Sequence, residues 1–118
     1  MSIIADVVVA CVAALHVYIL VLEMFLWDKP AGLRAFGQTQ AAASASKVLA
    51  ANQGLYNGFL AAGLLWGLLL GASGTSVKVF FLSCVLVAGL FGAATANRKI
   101  LFVQAVPAAL GLSLVLLS

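Results

Sequence analysis

Residues 3–27 read IIADVVVACVAALHVYILVLEMFLW, an apolar stretch long enough to cross a bilayer as a helix. It contains His16 and Glu23, which are seven residues apart. Because a helix turns 100° per residue, these two side chains share one stripe, roughly 10 Å apart along the axis. An imidazole and a carboxylate are costly against lipid, so both are predicted to face a protein interior or a water-filled cavity.

The composition of the whole chain indicates a membrane protein. Of its 118 residues, 65% are hydrophobic and 8% are charged, which leaves too little polar surface to cover a soluble domain. Each span must be helical, because lipid offers open backbone groups no hydrogen-bond partner. We therefore expect an all-α polytopic membrane protein, with residues 1–118 forming a single four-transmembrane-helix bundle. The predicted spans are Ile3–Trp27, Val48–Gly71, Val77–Ala96 and Ile100–Leu117.

Several classes of function find no support in the sequence. The first apolar stretch is too long for the core of a cleavable signal peptide, and no basic residue precedes it. Cys11 and Cys84 lack a CxxC spacing, so we predict no metal site, and no haem or nucleotide motif predicts a cofactor. The net charge of +3 comes from dispersed basic residues, which predicts the lipid bilayer, and not nucleic acid, as a partner.

The connection between the first two spans is predicted to hold a short helix lying on the membrane surface. Asp28 is placed to cap this helix, Pro30 suits its first turn and Gly37 suits its end. These signals predict a helix over residues 30–36. Thr39 is placed to cap the helix that follows.

Basic residues are distributed unevenly between the two sides of the predicted bundle. The less basic side of the bundle has Lys78 and Asp6. We expect Asp6 to act as a cap at the start of the first helix. The positive-inside rule places the more basic side in the cytoplasm and both termini outside it, in a multi-pass protein of the bacterial inner membrane. The more basic side carries Lys29, Arg34, Lys47, Arg98 and Lys99.

Polar side chains gather at the cytoplasmic ends of the predicted helices. Four of them on the second span, at 52, 53, 56 and 57, fall within an arc of about 140° on a helix, and we expect this arc to face inward toward Glu23. The geometry implies a pocket open to the cytoplasmic leaflet, and not a through-pore. The candidate pocket residues are His16, Glu23, Trp27, Asn52, Gln53, Tyr56, Asn57, Arg98 and Gln104.

A second face of the same helix carries small residues at every fourth position: Ala50, Gly54, Gly58 and Ala62. Small residues let helix backbones approach closely. This stripe is predicted to pack on a neighbouring helix or on a second protomer, which would make a homo-oligomer. Leucine at Gly58 should therefore disturb packing more than leucine at Gly74, which is predicted to lie in a short outer loop.

Structural roles for the same residues stay open. Glu23 can pair with Lys29 or Arg98 as an interfacial carboxylate, and His16 can be a neutral core histidine bonded to a backbone carbonyl. The amides on the second span can serve as interhelical hydrogen bonds that hold the bundle together.

The strings LEMFLW (residues 22–27) and KVLAANQGLYNGFLAAGL (residues 47–64) resemble a known family, domain of unknown function 1304 (DUF1304). Its members are small bacterial membrane proteins with four predicted helices, and the resemblance covers essentially the whole chain. The family name implies no activity. The resemblance points to Glu23, Trp27, Phe36, Gly37, Lys47, Asn52, Gln53, Gly54, Tyr56 and Asn57.

Three functions are compatible with this pattern. The favoured one is binding or transport of a small amphipathic or cationic molecule, with Glu23 as counter-charge and Trp27 and Tyr56 as cation–π partners. The second is a cofactor-independent membrane enzyme of the proton-transfer isomerase type, in which His16 or Glu23 moves the proton. The third is an accessory or structural membrane subunit.

Overall fold

The computed structural model describes residues 2–118, and within that range the chain is helical with no strand, as expected for an all-α protein. A 3-10 turn, Gly71–Gly74, precedes the fourth helix, and a π-helical turn, Leu101–Ala105, precedes the fifth. The helices are α1 (Ile3–Met24), α2 (Pro30–Phe36), α3 (Gln40–Leu69), α4 (Thr75–Thr95) and α5 (Val106–Leu117).

Two helical segments of the described chain are long and apolar enough to cross a membrane: Ile3–Met24 and Gly71–Thr95. The segment Leu101–Leu117 is apolar but shorter. All but the last two residues of the predicted second span lie in α3, which has 30 residues and is therefore about 45 Å long. Its amide and serine side chains make α3 more polar than the other long helices.

Local signals in the sequence explain α2. Pro30 lies in its first turn, and Gly37 ends it in the left-handed conformation, with φ 62° and ψ 39°. The expected cap by Asp28 is wrong: Lys29 occupies the N-cap position and makes no side-chain capping bond. The expected cap by Thr39 is confirmed, because the Ala42 N–H donates to Thr39 Oγ1 at 3.2 Å.

The chain divides into two compact units. Unit 1 comprises the residues up to Ala14 together with Leu60–Ser118, and unit 2 is Leu15–Phe59. Unit 1 has a hydrophobic core to which four helices contribute, so it buries apolar area from both ends of the chain. Its buried members are Ala5, Val9, Val12, Ala13, Leu64, Leu82, Val85, Ala108 and Val115.

A change of helical pitch precedes Pro107 in unit 1. Proline lacks an N–H group and its ring clashes with the carbonyl one turn earlier. The π-helical turn just before it widens the helix, and the Val106 N–H accordingly bonds to the Leu101 carbonyl five residues back. Gly89 of α4 packs against this turn, where a Cβ would lie 2.7 Å from the Ala105 nitrogen.

Candidate functional site

A buried hydrogen bond joins α1 to α3 within unit 2. The Asn57 Nδ2 donates to Glu23 Oε1 at 2.6 Å. Only 3% of Glu23 and 9% of Asn57 are exposed. The expectation that Glu23 meets the amide-bearing part of α3 is thus confirmed for Asn57.

Small residues on α3 allow this contact. A Cβ at Gly54 would lie 3.0 Å from the Glu23 Cβ and 2.7 Å from Met24 Cγ, and one at Gly58 would lie 2.6 Å from Leu20 Cδ1. At these two glycines the small-residue stripe therefore packs on α1 of the same chain, which is the neighbouring-helix alternative. Of the other stripe members, Ala50 is buried and Ala62 is exposed.

The rest of the predicted polar arc faces the other way. Asn52, Gln53 and Tyr56 are exposed, so the expectation that the whole arc points inward is wrong for these three. Asn52 Nδ2 donates to the Val48 carbonyl of its own helix at 2.9 Å, and the Tyr56 ring lies 6.1 Å from the Phe59 ring. The face of α3 that carries Gly54 and Gly58 lets the backbones of α1 and α3 approach closely. With this face against α1, the bulkier polar residues Asn52, Gln53 and Tyr56 point away from α1.

Two further contacts connect the segment after α1 to the start of α3. Trp27 Nε1 donates to Ser46 Oγ at 3.1 Å, and Lys47 Nζ lies 3.1 Å from Asp28 Oδ2. The hydrogen bond from Lys47 holds the pKa of Asp28 below its ordinary value of 3.8.

Glu23 has no cationic partner in unit 2. Within residues 15–59 the ion pair is Asp28–Lys47, and the hydrogen-bond donor to Glu23 is the neutral amide of Asn57. The structure therefore has no salt bridge between Lys29 and Glu23, and this alternative is wrong.

The remaining candidates lie elsewhere in the fold. His16 is fully buried on α1. Gln104 is half-buried in the π-helical turn, and Arg98 is exposed in the connection between α4 and that turn. Both Arg98 and Gln104 belong to unit 1, and their assignment to a pocket with Glu23 stays a prediction.

One buried ion pair in unit 1 was missed by sequence reasoning. Lys78 Nζ lies 3.1 Å from Asp6 Oδ1, and the Lys78 side chain is fully buried, whereas 40% of the Asp6 side chain is exposed. Gly67 makes room for it, since a Cβ there would lie 2.7 Å from Lys78 Cγ. Asp6 lies in the first turn of α1 as expected, but the side-chain hydrogen bond at this helix start is the one that Ser2 Oγ accepts from the Ala5 N–H at 3.2 Å. The sequence did contain a signal for this pair, because Asp6 and Lys78 are the acid and the base predicted to lie on the same, less basic side of the bundle.

Among residues 2–118, no three His, Cys, Asp or Glu side chains are grouped so that they could hold a metal ion. Cys11 and Cys84 are free thiols. A shallow apolar groove follows one face of α4 between Phe80 and Phe91, and Cys84 and Ala88 are among the residues that line it. It offers van der Waals contact and little polar chemistry.

The chain belongs to the DUF1304 family, described as "Protein of unknown function", whose profile matches residues 10–116. It is similar to the "Uncharacterized protein YpaA" of Lactococcus lactis subsp. lactis (strain IL1403), with 29% identity over 106 residues. That alignment covers 88% of this chain and 89% of the relative. No solved structure matches the chain.

Proposed function

We propose that this protein spans the bacterial inner membrane several times, with both termini outside, and binds or transports a small cationic or amphipathic molecule at Glu23. The membrane location is supported by the two apolar helical segments of membrane-crossing length. The orientation is supported by the excess of basic residues on the side that contains Glu23.

The observation that carries the proposal is a buried carboxyl group whose hydrogen-bond partner is neutral. A buried charge is stable when an opposite charge accompanies it. Asn57 occupies one of the two Glu23 oxygens, and a carboxylate has room for further donors. A cationic ligand would supply both the charge and the donors that unit 2 itself does not provide.

Binding of tetraphenylphosphonium, a lipophilic cation, tests this proposal in the purified full-length chain. Glu23→Gln keeps the size of the side chain and an oxygen for Asn57, but it removes the charge. We expect this variant to fold normally and to lose at least ten-fold in affinity, which corresponds to about 1.4 kcal/mol.

Asp28→Asn is the matched control. It also removes one carboxylate from unit 2, but that carboxylate already has Lys47 as its partner. The control should bind tetraphenylphosphonium as the parent does. Equal binding by the parent and Glu23→Gln would reject Glu23 as the ligand site.

A second candidate function, that of a structural or accessory subunit, is favoured by the three contacts between the α1 end and α3. Glu23–Asn57, Trp27–Ser46 and Asp28–Lys47 together hold these segments in register. In that case Glu23→Gln should leave every binding measurement unchanged. Replacing Asn57, which removes the hydrogen-bond donor to Glu23, should then lower the free energy of unfolding without changing binding.

A further inference from the structure

The α2 helix and the residue before it, Lys29–Phe36, form a rigid connection between two long helices. The Leu33 N–H bonds to the Lys29 carbonyl at 2.9 Å. Gly32 is buried so closely that a Cβ there would overlap the carbonyl oxygen of Leu26. The segment therefore presents its side chains in a fixed arrangement, because its backbone is held at both ends and in the middle.

An aromatic contact fixes one side of this segment. The Trp27 and Phe36 rings lie 4.8 Å apart at an interplanar angle of 48°, and the Trp27 indole N–H is bonded to Ser46. Tryptophan with one apolar face and one bonded polar edge is typical of the level of lipid headgroups.

Two cations of this segment form no salt bridge within unit 2. Lys29 and Arg34 are both exposed. Unit 2 contains two acidic residues: Asp28 is paired with Lys47, and Glu23 is buried against Asn57. Asp28 also interacts electrostatically with Lys29, but neither acid forms a salt bridge with Lys29 or Arg34, and one carboxylate cannot balance Lys29, Arg34 and Lys47 together. The exposed surface of the segment is therefore positively charged.

We propose that Lys29 and Arg34 form a docking surface for the headgroup of an anionic phospholipid. The partner follows from charge complementarity: exposed basic side chains in the connection that follows a tryptophan of the kind found at headgroup level attract lipids that carry a net negative charge. The guanidinium of Arg34 suits a phosphate because it offers a fork of parallel donors. This inference rests on the proposed membrane location, but it does not depend on the ligand at Glu23.

Quenching of Trp27 fluorescence by brominated lipids measures this interaction. The chain has two tryptophans, so Trp66→Phe makes Trp27 the single reporter. In nanodiscs of mixed lipid, brominated phosphatidylglycerol should quench Trp27 more strongly than brominated phosphatidylcholine. Arg34→Gln should lower this relative affinity about five-fold, the factor expected for one basic residue at a membrane surface.

Two variants serve as controls. Arg34→Lys keeps the charge and should keep most of the preference. Lys99→Gln removes an equal charge from an exposed site outside unit 2 and should leave the preference unchanged.

Three results would overturn the proposal: equal quenching by the two lipids in the parent, equal losses in Arg34→Gln and Lys99→Gln, or a preference abolished by inorganic phosphate. The last result would assign the surface to free phosphate. Tetraphenylphosphonium binding in the same nanodiscs reports separately on Glu23, so the two proposals can fail independently. A chain that does not insert into nanodiscs would reject both.

Discussion

The Asp6–Lys78 contact of unit 1 and the Glu23–Asn57 contact of unit 2 both join distant parts of the chain through a buried polar group, but they differ in charge. Asp6 and Lys78 neutralise each other. Glu23 is bonded to a neutral amide and forms no ion pair with the cations of its unit. A compensated pair stabilises the fold and leaves little for a ligand, whereas an uncompensated carboxyl group can still bind one.

The largest effect should come from breaking the compensated pair. Asp6→Asn leaves the fully buried Lys78 without its carboxylate. We expect the free energy of unfolding to fall by about 3 kcal/mol, at the lower end for a broken buried pair because Asp6 is partly exposed. Chemical unfolding in detergent measures this loss.

The double variant Asp6→Asn with Lys78→Met is the control. It removes both charges and fills the lysine site with an apolar chain of similar length, so it should recover most of the lost stability. A loss below about 1 kcal/mol in Asp6→Asn, of the size typical for surface pairs, would mean that the pair is solvated and that the comparison fails.

Removal of the neutral partner in unit 2 should have the next largest effect. Asn57→Leu leaves the buried Glu23 without its donor, and we expect a loss of about 2 kcal/mol. Asn52→Leu is the matched control on the same helix, because Asn52 is exposed and bonds only to its own helix. It should change stability by less than about 0.5 kcal/mol. Equal losses of stability in the two variants would instead support the expectation that the whole polar arc of α3 points inward.

Glycine substitutions sharpen the contrast between the two units. A Cβ at Gly74 would overlap the backbone carbonyl of Gly67, so Gly74→Ala should cost about 1–3 kcal/mol by overpacking. At Gly58 a Cβ meets the end of the flexible Leu20 side chain. Gly58→Ala should therefore be nearly neutral, since alanine also favours the helix by about 1 kcal/mol.

The sequence predicted the larger effect at Gly58 for leucine substitutions, with Gly74 in a short outer loop; for alanine, the structure predicts the larger effect at Gly74. Thermal unfolding of the two alanine variants tests this order. A lower melting temperature for Gly58→Ala than for Gly74→Ala would contradict the order expected for alanine.

The smallest effect concerns the Asp28–Lys47 pair, in which the Asp28 side chain is half-buried and the Lys47 side chain is exposed. Because the pKa of Asp28 is lowered in the folded chain, the pair stabilises the protein at pH values above the ordinary carboxyl pKa of 3.8. This contribution is lost as the pH falls through the lowered value. Melting curves of the parent and Asp28→Asn should differ slightly at pH 7 and converge in acid. A difference that grows in acid would contradict this assignment.

Local rules explain which parts of the fold were predictable. The start of α2 at Pro30, its end at Gly37 and the cap at Thr39 each depend on residues a few positions apart. The meeting of Glu23 with Asn57 followed from the position of the connection between their helices, which keeps both at one depth.

The missed features depend on contacts that sequence spacing does not specify. An arc of polar residues shows where a helix is unsuited to lipid, but not which of its faces another helix covers. In the structure α1 covers the face of α3 that carries Gly54 and Gly58, so Asn52, Gln53 and Tyr56 stay exposed. The Asp6–Lys78 pair joins residues 72 positions apart, a separation at which no helical periodicity operates.

That separation has a consequence for biosynthesis. Asp6 leaves the ribosome 72 residues before Lys78, which at ordinary rates of synthesis is a delay of roughly 4 to 14 seconds. During this interval the carboxylate has no counter-charge from α4. In a chain inserted as it is made, the Asp6 carboxylate at the start of α1 would therefore stay in contact with water or the insertion machinery until α4 supplies Lys78.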